Sequence, residues 1–190
     1  MSKHKNTQSL GLFGTYAVLM KLTELGWTAI ATPGNSKNTD IIAYKETGKQ
    51  TICKRIEVKT TSNNFMWPQK ASKSPYGKHT FWSVGKIQER NLKDIIYCFV
   101  SIQKLSPEQI KSRNRKEALY YKHQDGSWDE ILFHLTTGLK VQQYLRNADN
   151  IRKKHKRNSP NEYFRIGIPC GKGTNEPQDQ LCGNWAILDK

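Results

Sequence analysis

One segment restricts what this chain can fold into more than any other. From Thr51 to Thr60 the side chains alternate, with Ile52, Ile56 and Val58 falling on one side and Cys53, Arg55, Glu57 and Lys59 on the other. A period of two belongs to a strand with one face on a core and the other polar. The turn-forming KETGKQ precedes it, and DIIAY (Asp40–Tyr44) before that turn reads as an antiparallel neighbour. WTAIAT (Trp27–Thr32) reads as another short strand, set off by the polar loop PGNSKNT. Ser9–Leu25 has Phe13, Tyr16, Ala17 and Met20 at three- and four-residue spacing, with Ser9 placed to cap the start and Gly26 to supply a left-handed stop. That pattern predicts an amphipathic helix packed on the sheet.

Downstream, Ser83–Lys93 is expected to form a short helix, and Asp94–Ile102 (DIIYCFVSI) is an almost continuous apolar run suited to a strand buried on both faces. The expected order is therefore helix, three strands, helix, strand. Past Leu105 the patterning loosens. Helices are expected over Pro107–Ala118 and Gly138–Ala148, and the turn-rich IPCGKGTNEPQDQLCGNW is read as irregular. The chain reads as one α/β domain with its core over 9–102 and a helical or irregular extension over 103–190.

Composition enters through charge. Thirty-one Lys and Arg against 16 Asp and Glu give a formal net charge of +15, far more than solubility requires, and this implies a polyanionic partner. No stretch has the roughly 18–20 uninterrupted apolar residues that cross a bilayer, and MSKHKNTQSL has no apolar signal core. A membrane partner is not expected, and a cytoplasmic location is. The cysteines (Cys53, Cys98, Cys170, Cys182) show no CxxC pair and no zinc-finger spacing, so reduced thiols of minor structural weight are expected.

The chemistry gathers on the alternating strand. Glu57 and Lys59, two residues apart, project from one face about 7 Å apart. If the Asp40 strand pairs with theirs across the KETGKQ turn, Asp40 approaches Glu57 and the two carboxylates share a hard divalent cation. Mg²⁺ suits such a site because it takes oxygen ligands, keeps several waters and completes its shell with substrate phosphate. The Val58 backbone carbonyl is a further candidate ligand. Lys59 is placed to orient an attacking water and offset charge on the phosphorane. A metal is needed because two close carboxylates otherwise repel a polyanion.

The order of elements, the Gly26-Trp27 helix exit, and Asp40 followed by the triplet Glu57-Val58-Lys59 together resemble the PD-(D/E)XK nuclease superfamily, which includes restriction endonucleases. The resemblance covers about Ser9–Ile102. It implies a restriction-endonuclease-like αβββαβ core with a central mixed sheet, and hydrolysis of DNA phosphodiesters that depends on Mg²⁺, with Mn²⁺ as a substitute. It also implies Asp40 and Glu57 as metal ligands and Lys59 as the catalytic lysine. Thr39 stands where the family name has proline, and Glu24 is the one acid on the first helix.

Around this site Arg55 is read as a phosphate contact or the partner of an acidic neighbour, and Thr60 and Thr61 as phosphate contacts or a plain polar turn. Lys70, Lys73 and Lys78 alternate with Trp67, Tyr76, Phe81 and Trp82, a mixture suited to phosphate contact with base stacking, or to anchoring the loop on the core. Lys153, Lys154, Lys156 and Arg157 form a basic cluster that meets phosphates without reading sequence, or is a solvated face. The expectation is a homodimeric endonuclease of double-stranded DNA resembling a small restriction or defence nuclease. A non-catalytic nucleic-acid-binding protein and a structure-selective repair nuclease stand beside it as alternatives.

Overall fold

Thr7–Glu24 is helical (α1) and ends as its sequence predicts: Gly26 has φ 78°, its N–H donates to the Thr23 carbonyl at 3.0 Å, and the Trp27 N–H donates to Leu22 at 2.9 Å. The strands that follow are β1 (Thr28–Ala31), β2 (Ile41–Thr47) and β3 (Gln50–Ser62), paired antiparallel in chain order. The tight β2–β3 turn uses Gly48 at φ 61°, a conformation only glycine adopts without strain. The computed structural model describes residues 7–33, 36, 39–62, 79–85, 92–111, 118–154, 164–169 and 182–190.

Then come β4 (His79–Gly85), β5 (Ile95–Leu105), α2 (Pro107–Lys111), β6 (Leu119–Lys122), β7 (Trp128–Thr137), α3 (Gly138–Lys154), β8 (Phe164–Pro169) and a 3-10 segment, Trp185–Asp189. The main sheet has six strands in the order β1-β2-β3-β5-β7-β6. It is mixed: β5 runs parallel to β3, and every other neighbouring pair is antiparallel. A separate ribbon pairs β4 with β8.

Both faces of this sheet are covered over its centre. On one face Ile41, Ala43, Ile56, Val58, Cys98, Val100, Phe133 and Leu135 pack with Ala17, Val18 and Leu22 of α1. On the other, Tyr97 and Phe99 pack with Val141 and Leu145 of α3 and with Trp82 of β4. Trp82 also donates its indole N–H to the Val100 carbonyl at 2.8 Å, fastening the ribbon to the sheet.

Four expectations are corrected. Ser83–Gly85, expected to open a helix, belongs to β4, because Phe81, Trp82 and Val84 suit a strand and Trp82 is buried against Phe99. The rest of the expected Ser83–Lys93 helix falls on residues 86–91, outside the described residues, and on the Leu92–Asp94 turn. Of the helix expected over Pro107–Ala118, Pro107–Lys111 is helical and 112–117 lie outside the described residues, whereas the helix expected over Gly138–Ala148 runs on to Lys154. The C-terminal region is not merely helical and irregular, since it supplies β6 and β7 to the main sheet. Finally, the face carrying Glu57 is not simply a polar surface: part of it is a second core.

Candidate active site at Asp40, Glu57 and Lys59

Asp40 lies one residue ahead of β2, held from three directions. Its N–H donates to the Ile56 carbonyl at 2.9 Å, its carbonyl accepts the Thr32 N–H at 2.9 Å, and its Oδ2 accepts the Val58 N–H at 2.7 Å. It therefore grips the backbone of β3 on either side of Glu57. A charge-assisted bond from a main-chain amide is among the stronger hydrogen bonds, so both the backbone and the carboxylate of Asp40 are fixed. Strand residues present N–H and C=O to the same edge, so the Val58 carbonyl faces the Asp40 side as well.

Glu57 is only 7% exposed, and its Oε1 accepts a hydrogen bond from the Lys59 ammonium, which is itself partly exposed. In the parallel ladder Glu57 pairs with Tyr97 and Lys59 with Phe99. Both therefore share the sheet face that carries these two stacked rings. A carboxylate this buried requires a positive partner, and Lys59 provides one. The site lies where the covered half of this face meets an open half: Ile30, Ile42, Tyr44, Cys53 and Arg55, in the rows toward the β2–β3 turn, are all exposed.

The other expected contacts divide. Arg55 is on the same face as Glu57, with Nη2 at 4.0 Å from Asp94 Oδ2, both side chains being well exposed. Thr61 is half-buried near the end of β3, opposite Ser101. Thr60 points the other way: its hydroxyl is buried against α1 at Gly14, so it is not placed for phosphate contact. Lys70, Lys73, Lys78, Lys156 and Arg157 lie outside the described residues, and Lys153 and Lys154 lie in the last turn of α3 without described side chains. Trp82 anchors the fold rather than wedging between bases. Glu24 pairs with Lys21 at 3.0 Å near the end of α1.

Because β7 was not legible, its polar residues were missed. His134 stands on the row of Lys59, two strands away through Phe99, with its ring 5.6 Å from that of Trp82. Glu130, fully buried, accepts from the Tyr120 hydroxyl at 3.3 Å. Asp129 has Oδ2 at 2.8 Å from His123 Nε2, though outside hydrogen-bond geometry. Among the described residues no three His, Cys, Asp or Glu side chains converge as a ready metal cage. No described helix is long and apolar enough to cross a membrane. No family model, curated protein or solved structure matches the chain.

Proposed function

We propose that this chain is a Mg²⁺-dependent DNA endonuclease on a restriction-endonuclease-like scaffold of the PD-(D/E)XK kind, acting as a homodimer so that two symmetric sites cut both strands. The observation that carries the reading is the grip of Asp40 on the backbone flanking Glu57, with Lys59 paired to Glu57 on the same strand face. Support also comes from the helix, the three antiparallel strands and a further strand parallel to the third, and from the +15 charge.

The donor set fits a small hard cation. Two carboxylates and one main-chain carbonyl are oxygen ligands, and a site with few protein ligands leaves room for water and phosphate. Asp40, Glu57 and the Val58 carbonyl would hold the ion. When bound, it supplies Lewis-acid polarisation of the phosphate and a more acidic water. Asp40 keeps one carboxylate oxygen on the Val58 amide and presents the other. Glu57 would offer its carboxylate to the ion, and Lys59, hydrogen-bonded to Glu57 on the same face, would orient the attacking water and offset charge on the phosphorane. Phe99 and Tyr97 beside them limit water and keep these charges strongly coupled.

The test is incubation of plasmid and phage DNA with the purified protein in millimolar Mg²⁺ or in EDTA, beside Lys59→Ala and Asp40→Asn. Discrete bands that need Mg²⁺ and both residues are expected for a sequence-specific enzyme, and a metal-dependent smear for a structure-selective or non-specific one. Cleavage persisting in Lys59→Ala sinks the site. The second reading, a binding protein without catalysis, is favoured by the buried Glu57 being already neutralised by Lys59. It gains if no substrate is cut while salt-sensitive binding stays intact.

A further inference from the structure

The open half of the sheet face that carries the site is made of rows. Asp40 and Glu57 stand at its inner limit. One row outward, Ile30 pairs with Ile42 and Ile42 with Arg55; the next row sets Tyr44 against Cys53. All five side chains are exposed, Ile30 to 61% and Tyr44 to 37%. Each row is two residues from the last, about 7 Å. An aromatic ring, two branched aliphatics and a guanidinium thus lie on an exposed floor that leads directly into Glu57 and Lys59.

From this floor we infer that an unpaired nucleic-acid strand is laid across it, its bases against Tyr44 and Ile42 and its phosphates along Arg55 and Lys59. The inference rests on the nuclease reading and narrows its substrate to DNA with a single-stranded arm. Three observations favour that occupant. The floor is continuous with the proposed site. Its cation, Arg55, has among the described residues an exposed contact of 4.0 Å with Asp94, which a phosphate replaces at little cost. Lastly, a duplex hides the base faces that apolar side chains need, whereas stacking on aromatic rings is how unpaired strands are held.

Cys53, exposed in the row of Tyr44, makes the floor directly testable. The full chain is titrated in EDTA with a fluorescent oligothymidylate and with a blunt duplex of equal length, while alkylation of Cys53 is followed by peptide mass spectrometry. Oligothymidylate is expected to slow alkylation of Cys53 and the duplex to leave it unchanged, and Tyr44→Ala should weaken oligothymidylate binding about tenfold without altering duplex binding. Unchanged Cys53 reactivity at saturating oligothymidylate overturns the assignment. Equal weakening of both ligands by Tyr44→Ala also overturns it, as does a Cys53 already shielded in a self-associated free protein, which would give the floor to a second copy. Protection of Cys53 by oligothymidylate without any Mg²⁺-dependent cleavage would remove the nuclease reading and leave the floor standing. Duplex cleavage with Cys53 unprotected would do the reverse.

Discussion

Gly14 of α1 lies so close to Thr60 of β3 that a Cβ built on the glycine would stand 1.8 Å from Thr60 Oγ1 and 2.8 Å from Thr60 Cβ. The helix crosses the strand at that point, one residue from Lys59, so the contact sets how tightly α1 seats behind the site.

Gly14→Ala is therefore expected to destabilise the protein. Alanine is the better helix former by about 1 kcal/mol, but overpacking of this kind costs about 1–3 kcal/mol, and the approach is too close for the Thr60 side chain to evade. Urea unfolding should show a lower midpoint. Adding Thr60→Ala, which removes Oγ1 and Cγ2 but not Cβ, should return part of the loss. A Gly14→Ala protein as stable as the parent would mean that α1 can shift freely.

Lys59→Ala should lower stability in EDTA, because it removes the ammonium paired with the buried Glu57 carboxylate. Losing one partner of a fully buried pair costs about 3–5 kcal/mol. With Lys59 partly exposed, the expected loss is about 1–2 kcal/mol. If Glu57 and Asp40 hold a divalent cation, Mg²⁺ should raise the melting temperature of Lys59→Ala more than that of the parent, since the ion takes over as counter-charge. An equal response of both proteins to Mg²⁺ would speak against ligation by Glu57.

Trp82→Phe keeps an aromatic ring beside Phe99 but deletes the indole N–H that donates to the Val100 carbonyl. The loss is expected to be about 1–2 kcal/mol. Hydrogen exchange should localise it, with β4 and β8 amides losing protection before those of β5. Uniform loss across the sheet would show that the ribbon and the sheet unfold together.

Cys98 is fully buried, and that burial pushes its thiol well above the usual range. The thiolate is the reactive form. An alkylating reagent should therefore label the exposed Cys53 and leave Cys98 silent, even at pH 9, until the protein unfolds. Early labelling of Cys98 in native buffer would contradict the packing between α1 and β5.

The readable parts of this fold were those whose signal is local. Gly26 closes α1, the alternation of Ile52, Ile56 and Val58 marks a core face, and the apolar run Ile95–Ile102 marks a central strand. The proximity of Asp40, Glu57 and Lys59 was legible for the same reason: Asp40 immediately precedes β2, which a short turn joins to the strand of Glu57 and Lys59. What escaped depends on distant partners. β7 carries Asp129, Glu130 and His134 among its apolar residues, so its pattern is broken, and only pairing with β5 makes it a strand. The burial of Glu57 was missed because β3 lies between β5, where Tyr97 stands beside Glu57, and the neighbouring β4, neither of them near it in sequence. Thr60 was misread because its surroundings include Gly14, far earlier in the chain.

The strand β5 has β3 on one side and, from Ile96 to Leu105, β7 on the other. A fragment ending at Leu105 would keep Asp40, Glu57 and Lys59 yet leave this apolar strand with a bare edge, a template for aggregation. On the ribosome, the site cannot be secured by its own part of the chain. It waits for Trp128–Thr137 to emerge, and until then the nascent protein carries its stickiest strand unprotected, which makes the late arrival of β7 the step at which a chaperone would matter most.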